Sequence, residues 1–317
     1  MPFTLIALLS ACGGDDSSQA GGTGAAGGAS GGTGGTAGAG GTGGTAGSGG
    51  AGGSGGGDAT GSVLQHHNHA TRDGVYVDAA LTKGAVASLH VDPSFATATY
   101  TAPAYAQPLY LAGSSGAPDL VIQATNQNHV IAFHATSGAK VWDVTLGAPV
   151  PKSSLASLKA NCGNVDFLGV IGTPVIDAKT RTIYLGSEQA SGSSATHQIY
   201  ALDADSGMTR SGWPVDVGAK LGAAFNALAE HQRGALAIVG DRLIVPYGGH
   251  WGDCGNYRGW VVSVSLADPN QLTSFSTRAI AGGVWAPGGI ASDGASVFFT
   301  TGNTQAMTNS FTPPAMY

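Results

Sequence analysis

The densest group of chemically capable side chains in the sequence is the string GGHWGDCGNYRGW at 248–260, which holds His250, Asp253, Cys254, Tyr257 and Arg258. A glycine-rich excursion between two strands is a place where binding residues gather, because a rigid scaffold presents the loop. His250 and Asp253 are ligand-binding candidates: an Asp–His pair can serve as a general base or as two metal ligands. No third ligand or nucleophile stands beside them, so the competing reading is a structured loop pinned by a disulfide and by side-chain to backbone hydrogen bonds. Tyr257 and Arg258 join the candidates as neighbours in the same loop. No residue is assigned a catalytic role and no metal site is assigned.

A second cluster is His66-His67-Asn68-His69. On an extended chain adjacent side chains point to opposite sides, so only His67 and His69 could converge, and two ligands make a weak site. The segment therefore reads as a polar lead into the first strand, with Arg72 and Asp73 forming a turn or an ion pair. Ser114-Ser115 and Ser153-Ser154 lack a GxSxG context, which leaves a serine hydrolase unsupported. Gln107 and His129 are further ligand-binding candidates, facing a central channel if the elements close into a ring.

Those elements are strands. Three stretches repeat one pattern of strand, polar turn and strand: VIAFHATSGAKVWDV (130–144), IYALDADSGMTRSGWPVDV (199–217) and VVSVSLADPNQLTSF (261–275). A unit that cannot bury its own face must stack on the next. Strand signals fall in fours: 105–111, 119–125, 129–135 and 140–146; then 173–178, 182–188, 197–204 and 212–218; then 234–240, 242–248, 259–266 and 271–277. A fourth unit begins at 284–291 and 296–302. Helical periodicity is nearly absent, the one plausible helical turn being 152–159. The expected fold is all-β: a β-propeller of four-stranded antiparallel blades, with about three and a half present. In ATSG and DADSG the polar side chain can bond the backbone ahead of it while Gly138 and Gly207 take positive φ. Trp142 and Trp213 follow these glycines and are expected to pack between blades.

The N-terminus reads MPFTLIALLSACGGDD. Its apolar run is too short to span a bilayer, which takes about 20 residues, and suits a secretory signal. Leu9-Ser10-Ala11-Cys12 resembles a bacterial lipobox, which implies a signal peptide at 1–12 and lipidation of Cys12. Residues 13–61 are almost wholly Gly, Ala, Ser and Thr and read as a disordered tether of roughly 35–40 Å span. Residues 62–317 form the partial propeller. Only 10% of the residues are charged and the net charge is −6, with scattered Lys and Arg, which excludes a nucleic-acid groove. In an oxidising compartment the remaining cysteines, Cys162 and Cys254, favour a disulfide over two free thiols.

The motifs GTPVID (172–177), IYALDADSG (199–207), its echo VIAFHATSG and the Trp that follows resemble the pyrroloquinoline-quinone-type repeat family, the eight-bladed quinoprotein-like propellers. HNHATRDG (67–74), YAQPLYL, YGGHWGDCGNYRGWVV and FTTGN are similar to a secreted branch of that family. The resemblance implies a ring of about eight blades, so the chain reads as C-terminally truncated at Tyr317. Family members that oxidise alcohols carry an adjacent Cys-Cys pair and a Glu/Asn/Asp set on Ca²⁺; this sequence has no such Cys pair and few acidic residues. The functional expectation is a binding or scaffolding module of unknown ligand. It would be secreted and lipid-anchored to a bacterial membrane, the outer one facing periplasm or cell surface, with the membrane as partner and a protein or small molecule in the channel. The alternatives are a quinoprotein-like oxidoreductase, using PQQ and Ca²⁺, with its site in blades beyond this chain, and a non-functional gene fragment.

Overall fold

The inner strands of each blade need partners on their hydrogen-bonding edges and apolar neighbours on their faces, whereas the outermost strands leave one edge and much of their surface to solvent. The computed structural model describes residues 61–91, 99–114 and 116–304. The leader with Cys12, the tether through residue 60 and the chain from 305, with the inferred truncation, lie outside the described residues.

The first blade orders β1 (Leu109–Leu111), β2 (Leu120–Ala124), β3 (His129–His134) and β4 (Lys140–Thr145) as one antiparallel sheet. A small ladder of β5 (Val150–Pro151) and β6 (Phe167–Leu168) encloses a 3₁₀ turn, Lys152–Ser157. The second blade holds β7 (Val175–Asp177), β8 (Thr182–Ser191), β9 (Ser194–Asp203) and β10 (Val215–Asp216). The third holds β11 (Glu230–His231) and β12 (Ala237–Val239) on one side of β13 (Arg242–Gly249), then β14 (Trp260–Ser265) and β15 (Leu272–Ser276). The hairpin of β16 (Ala291–Ser292) and β17 (Val297–Phe298) opens a fourth. The fold is all-β, with propeller-type blades. Two helices depart from the sequence reading: α1 (Lys83–Val86) and α2 (Val217–Leu221), the latter begun by Asp216, whose Oδ1 accepts from Ala219 N at 2.9 Å.

Both faces of the second blade are buried, which is why its strands read as apolar runs rather than alternating ones. Ile183, Leu185, Tyr200 and Leu202 join the core with the first blade, while Tyr184, Ile199 and Ala201 join the core with the third. Each fully buried Leu or Ile contributes about 1.5–3 kcal/mol. The turns add specific links. Asp203 Oδ1 accepts from Asp205 N, Ser206 N and Ser206 Oγ at 3.1, 2.9 and 2.9 Å, and Gly207 follows at φ 72°. Trp142 lies on that turn: a Cβ at Gly207 would stand 2.8 Å from its ring, and its Nε1 donates to Ala204 O at 2.9 Å. Trp213 packs edge-on against Tyr184 in the next interface. Both tryptophans therefore pack between blades.

The first strand of each blade pairs on one side only, and residues 62–72 cover the other side. Val63 and Tyr110 exchange backbone bonds of 2.8 and 3.0 Å, Ile176 N donates to Leu64 O at 2.8 Å, and Ser292 N donates to Ala70 O at 2.9 Å. This strap thus touches β1, β7 and β16. Arg72 completes it: NH1 donates to His66 O, NH2 to Leu236 O and Nε to Ile290 O at 2.7, 3.0 and 3.1 Å. Of the turn or ion pair expected at Arg72 and Asp73, the ion pair does not form, while the chain turns there, Arg72 N donating to His69 O at 3.0 Å. Asp73 instead takes His69 Nδ1 at 2.8 Å, and Arg72 is a largely buried cation held by carbonyls, its pKa lowered by burial to about 10. Nor is the segment extended. His67 and Asn68 sit at φ 57° and 62°, which removes the alternation that would have set His67 beside His69.

Arg72→Met should cost roughly 2–3 kcal/mol in urea unfolding, because three carbonyls lose a charged donor. Arg72→Lys should recover little, since one ammonium cannot reproduce the planar fork. Wild-type stability in either variant would show that the strap is held elsewhere.

Candidate functional site

The structure gathers titratable groups at the interface of the second and third blades. Glu188 (β8) and His197 (β9) are opposite one another in the ladder, so they share a face. His231 ends β11, Glu230 precedes it, and His250 follows β13. All five are buried.

Glu188 Oε1 accepts from His231 Nδ1 at 2.6 Å and from Gln232 N at 2.8 Å. Burial pushes this carboxyl up, and the charge and hydrogen bond of His231 outweigh that and hold it below its ordinary value. His197 Nε2 donates to Ala227 O at 2.7 Å, and His250 Nε2 donates to Leu228 O at 3.0 Å. Burial lowers both imidazoles, and the neighbouring His231 lowers His250 further, to about 4. The His231 and His250 rings are 4.8 Å apart with 33° between planes. Glu230 behaves oppositely to Glu188. Its Oε1 accepts from Arg258 N and Trp260 Nε1 at 3.0 and 3.1 Å, yet burial raises it to about 8, so it is protonated at neutral pH. Its Oε2 is buried without a partner.

The loop singled out in the sequence roofs this cluster. A disulfide joins Cys162 to Cys254, with Cα atoms 5.9 Å apart. Gly163 N donates to Trp251 O at 2.9 Å and Lys159 Nζ to Gly252 O at 2.8 Å. His250 and Asp253 do not pair: Asp253 Oδ1 accepts from Tyr257 OH at 2.7 Å, while His250 turns inward. The Asp–His base considered from sequence is therefore absent from this geometry. The Arg258 guanidinium donates to the carbonyls of Thr277 and Arg278. Gln107 lies at the strap, where its Oε1 accepts from His67 N at 3.3 Å and its backbone N donates to Thr173 Oγ1 at 2.9 Å. His129 begins β3, the third strand of its blade. It pairs with Asp143 at 3.2 Å beside a cavity of about 140 Å³. Glu188, His197 and His231 escaped sequence reasoning; the available signal was a polar residue at the end of a buried strand, as in TIYLGSE and AEHQ.

A larger cavity of about 620 Å³ lies between the strap and the first strands of the second and third blades. Gln65, Asn68, Tyr76, Asp78, Asp177 and Ile238 are among the residues lining it. It lies within the size range of ligand pockets.

No family model matches the chain, and no curated protein does. Among solved structures, the chain is similar to a europium-containing methanol dehydrogenase at 22% identity and TM-score 0.35, over 54% of this chain and 24% of that one. It is also similar to the quinohemoprotein alcohol dehydrogenase of Comamonas testosteroni, at 15% and 0.38 over 56% and 21%, and to BamB of Moraxella catarrhalis, at 21% and 0.28 over 54% of each. The chain thus spans a quarter or less of the two dehydrogenases. The residues described do not fit a Ca²⁺–quinone pair. Of the two fully buried glutamates, one is engaged by His231 and the other is protonated, and the disulfide joins positions 92 apart rather than adjacent ones.

Because the Glu230 pKa is raised in the fold, its contribution to stability is fully present below about 4.5 and is lost as pH rises through about 8. Glu230→Gln removes that dependence. The stability of wild type relative to the variant should fall by a few kcal/mol between pH 5 and 9 in denaturant titrations, whereas a constant difference would mean that Glu230 is ionised throughout.

Proposed function

We propose that this protein is a β-propeller binding module, secreted and held on a bacterial membrane by a lipid on Cys12, with its ligand site in the cavity at the strap. The observation that carries the reading is that cavity, about 620 Å³, in which Gln65 and Asn68 of the strap and Tyr76 and Asp78 beyond it face the strand β7 with Asp177. Polar groups of several kinds over an apolar floor of Val175 and Ile176 suit a ligand that is oriented by hydrogen bonds and desolvated by side chains. The lipobox-like LSAC and the Gly-rich tether support a domain standing clear of a bilayer.

The test uses the full chain in a thermal-shift panel of sugars, polyols, amines and amino acids. One chemical class should raise Tm, and Tyr76→Ala with Asp78→Asn should abolish that rise. Alcohol-dependent dye reduction after addition of PQQ and Ca²⁺ would overturn the reading in favour of an oxidoreductase. Separately, Cys12→Ala should move the protein from the membrane to the soluble fraction; equal membrane retention would remove the lipid anchor.

A further inference from the structure

We infer that His231 and His250 form a two-point site for one late first-row transition-metal ion, such as Zn²⁺ or Cu²⁺, at the interface of the second and third blades. The argument begins with tautomers. Glu188 can only accept from His231 Nδ1, and the Leu228 carbonyl can only accept from His250 Nε2. These bonds place one proton on each ring; a metal ion binding at Nε2 of His231 would displace the second proton that the His231 cation carries there, and Nδ1 of His250 offers its own lone pair. Neither of these nitrogens takes a hydrogen-bond partner among the described residues. An imidazole anchored through one nitrogen on a carboxylate or carbonyl is the usual arrangement of a metal-ligating histidine.

The spacing agrees. With metal–nitrogen bonds of about 2.0–2.1 Å, each ring centroid lies about 3.1 Å from the ion, and tetrahedral ligands have centroids about 5 Å apart. With both free nitrogens aimed at one ion, the observed 4.8 Å between centroids would correspond to an angle of about 100° there. The Glu188 carboxylate, in contact with His231, offsets part of the cation's charge. Imidazole donors favour Zn²⁺, Cu²⁺ or Ni²⁺ over the oxygen-seeking Ca²⁺. Among the described residues no three ligating groups converge, so the remaining positions would be filled by water or another exchangeable ligand. His231 and His250 retain 6% and 4% of their surface, which leaves a narrow approach.

The test is titration of the metal-free full chain with Zn²⁺ and with Cu²⁺, in a background where solvent-facing His69, His90 and His129 are replaced by Gln. One equivalent should bind at micromolar or weaker affinity. His231→Ala or His250→Ala should weaken it at least ~100-fold, and Glu188→Gln by about 10–100-fold, as expected for a partner that orients a ligand. Because the histidine variants could disturb the blade interface, X-ray absorption on the background protein reads the ligands directly: two imidazoles support the site. Failure to saturate at millimolar metal, a spectrum without two imidazoles, or unchanged binding in both histidine variants would overturn it.

Discussion

Everything in this structure depends on satisfying the inner edge of each blade. A strand that pairs on one side only leaves a row of N–H and C=O groups open, and such groups are costly to bury and prone to wrong pairing. The strap answers this for β1, β7 and β16, and Arg72 answers it for Leu236 and Ile290. One guanidinium, with a fixed fork of donors, joins carbonyls 164 and 218 residues away in sequence. Its planar head lies so close to the backbone that a Cβ at Gly289 would stand 2.7 Å from its central carbon. The consecutive left-handed residues His67 and Asn68 are locally unfavourable, and they persist because these long-range bonds determine the path of the segment.

With the edges covered, the faces decide what the strand ends hold. Mid-strand, the second blade is apolar on both sides, and its residues alternate between two cores. Toward the ends of β8 and β9 the apolar supply gives way to Glu188 and His197, which remain buried under the neighbouring blade. Burial then forces each acid to find a cation or keep its proton. Glu188 finds His231. Glu230 has only neutral donors, Arg258 N and Trp260 Nε1, on one of its oxygens, and keeps the proton. Two buried glutamates of neighbouring blades thus differ in protonation, one anionic and one neutral, for a reason visible in their hydrogen bonds.

The strands of the three blades were legible because β-branched and aromatic runs alternate with turns whose side chains cap their own backbone, as Asp203 does. The observed β8–β9 hairpin runs past the sequence boundaries to Ser191 and Ser194, since pairing continues where the apolar pattern fades. The strap was not legible as a strap. Its residues are polar, its conformation uses positive φ at His67 and Asn68, and its partners are distant carbonyls that no local pattern encodes. The same limit applies to the polar cluster. His250 stood out because it lies in a loop rich in unusual residues, but its neighbours Glu188 and His231 are 43 residues apart from one another and belong to no motif. Asp253 was legible as a loop residue, whereas its choice of Tyr257 over His250 depends on the direction of the chain after a left-handed turn at φ 49°.

The disulfide connects these two levels. Cys254 sits in the loop that His250 opens and Tyr257 and Arg258 close, and Cys162 belongs to the segment that joins the first blade to the second. A covalent link across 92 residues restricts the unfolded chain and fixes the loop against that segment. Gly163 and Lys159 add hydrogen bonds to Trp251 and Gly252 on the same side. The roof therefore cannot shift without disturbing His250, whose ring lies against His231, and through His231 the Glu188 carboxylate. A glycine-rich loop with few apolar residues would not hold such a position by packing alone. Cross-linking lets a weakly packed loop place an imidazole against a buried imidazole–carboxylate pair, and this is how a sequence with 10% charged residues assembles three histidines and two glutamates at one blade interface.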